Sequence, residues 1–322
     1  MKIKMKKILI VGAGAMGAAF SIPLLDNGHS VTLTEPYNFK LLQKLNLKKK
    51  IHPSLNINLP QKLKINKFSS DILNQKWDLI VIAVSSIGID LIGKNLSKIK
   101  NKSPILVLTK GLKLDGRNLI SMSSLLKKYN KNLNISVLKG PCLAKELAKK
   151  VKSFTVVANK NINTAKKIGK LISTNYYQTE FSRDVNGVEF LSAIKNIYSM
   201  IIGAGQWHNT SSALFQKSID EMKYLANYFK GKKETVYGLA GLGDLYVSAM
   251  GGRNSKMGEY LGKGYTFTRA KKKFMKNDTV EGADLAIEIA PFVFKKINKR
   301  KVPLMISLLE AIVKNKKLKI KY

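Results

Sequence analysis

One short glycine motif constrains the fold of this 322-residue chain more than any other feature. The segment 7–11, which is apolar after Lys7, is followed at once by Gly12-Ala13-Gly14-Ala15-Met16-Gly17, which fits the pattern G-x-G-x-x-G. In that pattern the glycines allow a tight turn, close approach of a pyrophosphate to the backbone, and close packing of helix on strand. The free amide groups at the start of the helix and the positive end of its dipole favour binding of a negatively charged phosphate. The motif predicts dinucleotide binding at Gly12, Gly14, Ala15, Met16 and Gly17, with a structural turn as the alternative.

An acidic residue follows the motif at the spacing expected for ribose binding. Glu35 lies 18 residues after Gly17, at the end of a second apolar run. A carboxylate there accepts hydrogen bonds from the adenosine ribose and repels a 2′-phosphate, which favours NAD over NADP. The alternative is a solvated turn carboxylate before Pro36. A nearby lysine such as Lys40 could also accommodate the 2′-phosphate, so NADP stays open.

The hydrophobic pattern divides the chain into two parts. Short Val- and Ile-rich runs alternate with longer mixed segments in the first part, which is typical of a parallel sheet with crossover helices. Further strands are predicted at 30–34, 78–84, 105–109, 135–138 and 154–158. The later segments 184–204, 210–230 and 280–297 are apolar at helical intervals. We expect an α/β fold: a Rossmann-like, doubly wound, mostly parallel sheet in a domain of residues 1–182, followed by an all-helical C-terminal domain of residues 183–322.

The formal net charge of +37 raises the possibility of a polyanion partner. Only five of the 57 basic residues are arginine, at positions 117, 183, 253, 269 and 300. The lysines are spread along the whole chain, and no zinc-finger, RNA-binding or heptad signature occurs among them. The pattern favours nonspecific binding at low salt over a dedicated nucleic-acid partner.

The single cysteine, Cys142, excludes an internal disulfide framework and a cysteine-based zinc site. No uninterrupted apolar run approaches the ~20 residues that span a bilayer. The basic and then apolar start mimics a signal peptide, but the glycine turn at Gly12 interrupts it. These features predict a cytoplasmic protein without a membrane span.

Seven motifs, in order along the chain, point to one family. They are GAGAMG (12–17), TKGL (109–112), KGPCLAKELA (139–148), VNGVEFLSAIKNIYSM (185–200), HNTSSALFQKSIDEM (208–222), GLAGLGDLYVSAMGGRNSKMGEYLGKG (238–264) and TVEGA (279–283). With them the chain resembles the bacterial-type NAD(P)-dependent glycerol-3-phosphate dehydrogenases. The resemblance implies hydride transfer between NAD(P) and a small phosphorylated substrate, dihydroxyacetone phosphate or sn-glycerol 3-phosphate. The glycerol 3-phosphate formed would supply glycerophospholipid synthesis.

Oxidation of a secondary alcohol needs a base for the hydroxyl proton, and reduction needs the matching acid. Lys195 lies in the apolar segment AIKNIYSM, where burial would favour the neutral amine that a base requires. By resemblance Lys195 is the proton donor and acceptor, and a surface lysine is the alternative. The resemblance also implies that Lys110 contacts substrate and cofactor and assists catalysis. Asp244 can orient the ammonium of Lys195 or bind the substrate by accepting a hydrogen bond from its hydroxyl, and a helix cap is the alternative. Asn196 can hold either the substrate or the nicotinamide side of the cofactor.

An arginine in a glycine-rich loop suggests a phosphate site, because this chain otherwise relies on lysine for positive charge. Arg253 has the planar fork that binds phosphate bidentately, and Asn254 and Gly252 adjoin it. The alternative is a structural arginine. The resemblance implies a further contact of Arg253 with the cofactor.

The remaining site residues come from the resemblance alone. Gly140 and Cys142 match a loop that touches the substrate, and Ala144 matches a cofactor contact. Val280 and Glu281 match positions that face the nicotinamide and its ribose.

Several departures from the family pattern lie in these motifs. Gly252 stands where serine is usual, Cys142 and Leu143 replace Ser/Thr and Phe, and Ser211 stands where arginine is frequent. A related polyol phosphate is therefore an alternative substrate.

Two other classes of protein share parts of this pattern. A hydroxyacid or keto-acid reductase has a similar fold and a catalytic lysine, and a sensor could keep the dinucleotide site without chemistry. The three histidines show no paired metal-ligand spacing, so no metal site is predicted. A helical second domain of this kind suggests a homodimer.

Overall fold

The computed structural model describes residues 4–47, 50–99 and 102–321. The chain divides into two compact units. The first unit comprises Met1–Lys110 and Met122–Val185, and the second comprises Gly111–Ser121 and Asn186–Tyr322.

The strands and helices follow the alternation expected from the sequence. The strands are β1 (Lys7–Val11), β2 (Ser30–Glu35), β3 (Ile51–His52), β4 (Ile57–Asn58), β5 (Lys64–Lys67), β6 (Leu79–Ile82), β7 (Ile105–Val107), β8 (Leu112–Asp115), β9 (Asn118–Ser121), β10 (Ile135–Lys139), β11 (Ser153–Ala158) and β12 (Tyr177–Ser182). The helices are α1 (Ala15–Asp26), α2 (Phe39–Leu45), α3 (Ser70–Asn74), α4 (Ile89–Leu96), α5 (Met122–Tyr129), α6 (Ala144–Ala148), α7 (Ile162–Ile172), α8 (Val185–Gly203), α9 (His208–Tyr228), α10 (Asp244–Ala249), α11 (Arg253–Gly262), α12 (Phe267–Phe274), α13 (Glu281–Lys296) and α14 (Pro303–Val313).

The first unit contains the predicted parallel sheet. Within the described residues it has eight strands in the order β12-β11-β10-β7-β6-β1-β2-β5. Neighbouring strands run parallel except for β10 and β11, which are antiparallel. The four residues of β6 are fully buried, as expected for a central strand covered on both faces. The predicted Rossmann-like architecture is confirmed.

The second unit is built around α8. This helix is buried along nearly its whole length, from Gly187 to Ile202, because apolar residues occur on all of its faces. Apolar residues of α9, α13 and α14 pack against it in one core. Within the described parts of the chain, none of the helices is both long and apolar enough to cross a membrane.

The second unit also contains a hairpin from the first half of the chain. Strands β8 and β9 pair antiparallel around Gly116, whose φ of +59° suits glycine at a tight turn. The amide of Leu114 donates to Glu288 Oε1 at 2.8 Å, and Leu112 joins the core around α8. The predicted boundary at 182/183 would assign this hairpin to the first domain, whereas the structure assigns it to the second unit. The observed boundary later in the chain falls at 185/186. The second unit is therefore helical apart from this hairpin.

Candidate active site

The glycine turn between β1 and α1 has the backbone geometry that the motif predicts. Gly12 has a φ of +112°, and a Cβ there would lie 2.7 Å from the backbone of Ala83. Gly14 precedes α1, and a Cβ built on it would meet no heavy atom of the described residues within 4 Å, apart from those of Gly14 and its two chain neighbours. Among the described residues, no side chain caps the first turn of α1, which Ala15, Met16 and Gly17 form. The turn therefore leaves open space beside an uncapped helix N-terminus, which is the environment that a pyrophosphate needs.

Glu35 lies at the end of β2, as predicted, but its carboxylate is bound by the backbone. Oε2 accepts a hydrogen bond from the amide of Ala13 at 2.7 Å. Oε1 accepts from the amides of Tyr37 at 2.9 Å and Asn38 at 3.2 Å. The side chain is 6% exposed. A carboxylate offers about four acceptor sites, so these three amides leave room for about one further donor.

Four predicted site residues follow two strands that are neighbours in the sheet. Because β7 and β10 run parallel, their carboxyl ends lie at the same edge. Lys110 follows β7 and is half-buried, and Gly140 directly follows β10 with a φ of +124°. Cys142 is half-buried in the same loop, and Ala144 begins α6. The structure thus brings these residues to the edge where ligands of open α/β sheets bind.

A buried lysine at this edge was not predicted from the sequence. Lys139, the last residue of β10, is 3% exposed. Its Nζ donates to the backbone carbonyls of Val107, Leu108 and Thr109, the last at 2.6 Å. Lys139 therefore fixes the chain that leads from β7 to Lys110. Its position directly before the Gly-Pro motif was the available signal.

Lys195 of α8 forms the most deeply buried ion pair between described residues. Its Nζ lies 2.5 Å from Asp244 Oδ1, and the two side chains are 7% and 3% exposed. It also donates to the hydroxyl of Ser248 and, at 3.4 Å, to the carbonyl of Asp244. The expected pairing of Lys195 with Asp244 is present.

Ser248 is a second residue that the sequence reasoning missed. It lies four residues after Asp244 on α10, so both side chains project from one face of that helix. One turn with π-type hydrogen bonding, Leu239–Gly243, comes directly before Asp244. Such turns are rare in proteins, and many of those that occur lie at functional sites. The i, i+4 spacing was the signal for Ser248.

Asn196, the neighbour of Lys195 on α8, links to Arg253 through Glu281. Asn196 Nδ2 donates to Glu281 Oε2 at 3.3 Å. Arg253 Nη2 lies 3.9 Å from Glu281 Oε1, and both side chains are more than half exposed. An ion pair that long and that exposed holds its partners weakly. The guanidinium therefore has freedom to bind another anion.

The loop around Arg253 is fixed by its backbone and by Asn254. Gly252 is the N-cap of α11, and Arg253 is the first residue of that helix. The amide of Gly282 donates to Asn254 Oδ1 at 2.9 Å, which ties the start of α11 to the start of α13. Val280 is 2% exposed and belongs to the core of the second unit.

The predicted site residues thus form two groups, each within one unit. The first unit carries the predicted residues Gly12, Gly14, Ala15, Met16, Gly17, Glu35, Lys110, Gly140, Cys142 and Ala144. The second unit carries Lys195, Asn196, Asp244, Gly252, Arg253, Asn254, Val280 and Glu281. Hydrogen bonds or an ion pair join Lys195 with Asp244, and Asn196 and Arg253 with Glu281.

A parallel sheet with a glycine turn before its first helix characterises dinucleotide-dependent enzymes, and comparison with known proteins narrows the class to NAD(P)-dependent oxidoreductases acting on CH–OH groups. Residues 7–165 match the N-terminal part of the NAD-dependent glycerol-3-phosphate dehydrogenase family, and residues 184–320 match its C-terminal part. The chain belongs to this family.

Individual relatives cover most of the chain. A glycerol-3-phosphate dehydrogenase [NAD(P)+] of Fusobacterium nucleatum is 32% identical over 288 residues, which are 86% of this chain and 84% of the relative. An NADP(+)-dependent glycerol-3-phosphate dehydrogenase of Archaeoglobus fulgidus is 28% identical over 90% of both chains. The crystal structure of glycerol-3-phosphate dehydrogenase from Coxiella burnetii has the same fold, with a TM-score of 0.85, 24% identity, and coverage of 97% of this chain and 96% of that one.

Proposed function

We propose that this chain interconverts dihydroxyacetone phosphate and sn-glycerol 3-phosphate with NAD(P) as hydride carrier, and so supplies the backbone of glycerophospholipids. The observation that carries the proposal is the buried pair of Lys195 and Asp244, 2.5 Å apart, in a chain of this family. Charged side chains are rarely buried in pairs without a reason, since removing them from water is costly. A proton-transfer role supplies that reason.

The first unit has residues that fit a dinucleotide. The space beside Gly14 and the uncapped amides of Ala15, Met16 and Gly17 suit a pyrophosphate, which carries negative charge and needs N–H donors. When bound, NAD(P) supplies or receives the hydride. The other requirements of the reaction fall to the protein's side chains.

Lys195 is the proposed acid and base. During reduction, negative charge develops on the carbonyl oxygen of the substrate, and the ammonium of Lys195 donates a proton to that oxygen. In the reverse direction the amine takes the hydroxyl proton. Asp244 and Ser248 hold Nζ in one position, because both accept hydrogen bonds from it. Lys110 is proposed as a second cation beside the substrate and cofactor.

Arg253 is the proposed ligand of the substrate phosphate. Its weak pairing with Glu281, at 3.9 Å, would be exchanged for two parallel hydrogen bonds to phosphate oxygens. Gly252 precedes it without a side chain that would block the backbone, and Asn254 is held by the amide of Gly282. This arrangement supports a phosphorylated substrate over a plain hydroxy acid.

The remaining roles are assigned by resemblance. The residues proposed to contact the substrate, beside Lys110, Lys195 and Arg253, are Gly140, Cys142, Asn196, Asp244, Gly252 and Asn254. Ala144, Val280 and Glu281, with Lys110 and Arg253, are proposed to contact the cofactor.

We propose a modest preference for NAD over NADP. Glu35 places a carboxylate at the end of β2, where a 2′-phosphate would be repelled. The three backbone amides that Glu35 already binds offset part of its charge, so the preference should be small. Initial rates with NADH and NADPH at equal concentration measure it directly.

The decisive assay follows NADH absorbance after addition of dihydroxyacetone phosphate. The proposal expects substrate-dependent oxidation, and Lys195→Ala should abolish it while NADH binding stays nearly intact. Lys272→Ala, at an exposed position of α12, is the matched control. Activity retained by Lys195→Ala would remove Lys195 from the proton transfer.

Alternative substrates and binding partners give different outcomes in the same preparation. Turnover of a carboxylate-bearing ketone without phosphate would identify a hydroxyacid or keto-acid reductase. NADH binding without turnover of any ketone phosphate would identify a sensor. Tight nucleic-acid binding that survives physiological salt would identify a polyanion-binding protein.

We further propose that the enzyme works as a cytoplasmic homodimer. The single cysteine suits a reducing compartment, and the assembly follows from the resemblance alone. Analytical ultracentrifugation of the purified chain tests the dimer.

A further inference from the structure

A histidine from a distant segment contacts the glycine turn. His52, in β3, is 1% exposed, and its Nε2 lies 3.0 Å from the backbone carbonyl oxygen of Ala13. Because a carbonyl oxygen only accepts, the histidine must carry a proton on Nε2 and donate it. Ala13 is the residue between the first two glycines of the motif, so this bond fixes the peptide that enters Gly14.

The other side of the same residue is held by Glu35. The amide of Ala13 donates to Glu35 Oε2 at 2.7 Å, and this bond is buried. The peptide groups before and after the Ala13 Cα are therefore each held by a side chain, one from β2 and one from β3. Gly12 and Gly14 have many accessible backbone conformations, because glycine lacks a Cβ. The two hydrogen bonds to Ala13, which lies between these glycines, limit that freedom.

The segment that carries His52 is itself firmly packed. Leu55, Leu59 and Leu63 are at most 3% exposed and belong to the core of the first unit, together with Ala13. The backbone carbonyl of His52 accepts from the amide of Asn56 at 2.8 Å, which closes a tight turn. The segment that carries His52 is therefore anchored in the core of the first unit.

The second ring nitrogen of His52 destabilises the folded protein, and the hydrogen bond to Ala13 must offset that loss. Within the described residues, His52 Nδ1 is buried and has no hydrogen-bond partner. An unpaired buried polar atom is destabilising, and an aliphatic side chain would fill such a site without that penalty. The advantage of a histidine over an aliphatic residue in this position is the Nε2–H group, which donates to the Ala13 carbonyl.

We infer that His52 is a positioning residue for dinucleotide binding: with Glu35 it holds the Ala13 peptides so that the glycine turn is preformed for the pyrophosphate. The inference rests on the proposed role of the glycine turn in binding NAD(P). A preformed turn binds more tightly because less conformational entropy is lost on binding. His52 does not contact the reacting atoms, so it should affect coenzyme affinity and not the chemical step.

The test compares NADH dissociation constants, measured by quenching of intrinsic fluorescence, for four variants. His52→Leu removes the donor and keeps an apolar side chain, and His52→Asn keeps polarity but is too short to reach Ala13. His52→Gln retains an N–H donor at similar reach. His29→Leu is the matched control: His29 is 4% exposed, its Nε2 lies 3.1 Å from the carbonyl of Leu171, and its Nδ1 also has no partner among the described residues.

The inference expects His52→Leu and His52→Asn to weaken NADH binding by about two- to tenfold, the range that corresponds to loss of one neutral hydrogen bond. His52→Gln should recover most of the affinity, and His29→Leu should leave it unchanged. In turnover assays the KM for NADH should rise and kcat should stay within about twofold, since one bond remote from the chemistry is removed.

Three outcomes would overturn the inference. They are unchanged NADH affinity in folded His52→Asn, equal weakening by His29→Leu, or failure of His52→Gln to recover affinity. If His52→Leu does not fold, His52→Asn and His52→Gln still make the comparison. The binding assay needs no ketone substrate, so wild-type protein that binds NADH without turning over dihydroxyacetone phosphate would contradict the proposed function and leave this test intact.

Discussion

Lys195 and Asp244 form an ion pair of 2.5 Å in which neither side chain is more than 7% exposed. Taking two charges out of water costs several kcal/mol per ion, about as much as their attraction returns. The pair is therefore a poor device for stability, whereas it suits a proton-transfer site. It also means that removal of either partner leaves an uncompensated buried charge.

Asp244→Asn should lower both activity and stability. Asparagine has nearly the same shape, but it lacks the charge that orients the ammonium of Lys195. We expect kcat to fall about 100-fold, at the lower end of the acid–base contribution. The free energy of unfolding should fall by about 3 kcal/mol, as for a broken buried pair. Steady-state kinetics and urea unfolding measure the two effects.

The matched control is Asp220→Asn. Asp220 pairs with Lys223 at 3.5 Å on the surface of α9, where the aspartate side chain is 56% exposed. The same substitution should change stability and kcat little, because surface pairs contribute at most about 1 kcal/mol. Equal effects of the two substitutions would contradict a special role for the buried pair.

Ser248→Ala should impair catalysis without breaking the ion pair. The hydroxyl of Ser248 accepts a hydrogen bond from Lys195 Nζ, and its loss leaves Asp244 as the main partner. We expect kcat to fall about two- to tenfold, corresponding to one hydrogen bond, with the KM for NADH unchanged. Ser248→Thr keeps the hydroxyl and should retain most of the activity. A loss in the threonine variant as large as in the alanine variant would show that side-chain size at position 248 matters, not the hydroxyl.

Arg253→Lys should act on substrate binding more than on turnover. Lysine keeps the charge but loses the planar fork that binds two phosphate oxygens. Loss of one charge-assisted bond corresponds to about a 10- to 100-fold rise in the KM for dihydroxyacetone phosphate. Initial-rate kinetics at saturating NADH measure it.

Arg269→Lys is the control for that substitution. Arg269 lies in α12, with its guanidinium carbon 5.5 Å from the ring centroid of Tyr265. Its replacement should leave the substrate KM unchanged. An unchanged KM in Arg253→Lys would remove Arg253 from the phosphate site.

Elements with strong local signals were predicted well from the sequence. β1 has the predicted bounds, because a run that is apolar from Ile8 to Val11 and ends at a glycine turn leaves little choice of register or length. The long helices α8 and α9 were predicted within about two residues, since their apolar periodicity extends over several turns. Lys195 and Asp244 were found through their motifs, and the structure pairs them.

Features that depend on distant contacts were not predictable in this way. Strands β5 and β12 lie at the two edges of the sheet and are rich in polar residues, so they lack a hydrophobic run. The hairpin of β8 and β9 belongs to the second unit because Leu112 packs there, which no local pattern encodes. Glu35 was expected at the end of β2, but the capture of its carboxylate by three amides depends on the exact course of two loops.

Glu221 should make stability fall as the pH rises toward neutrality. Burial raises the pKa of Glu221 from 4.5 to about 7, against the opposing effect of hydrogen bonds from the amides of Leu304 and Met305 and from Tyr198. Between these two values the folded protein retains a proton that the unfolded chain releases. The free energy of unfolding therefore decreases with rising pH in this window and stays lower above pH 7.

Glu221→Gln isolates that contribution, because glutamine resembles the protonated acid and does not titrate. Between pH 5 and pH 8 the wild type should lose on the order of 2 to 3 kcal/mol relative to Glu221→Gln in urea unfolding, from the shift of about 2.5 pH units. Glu234→Gln, at an exposed position, should track the wild type at both pH values. If the difference between wild type and Glu221→Gln were the same at pH 5 and pH 8, Glu221 would have to be ionised in the folded protein at both pH values. The hydrogen bonds from Leu304, Met305 and Tyr198 would then suffice to keep the buried carboxylate charged.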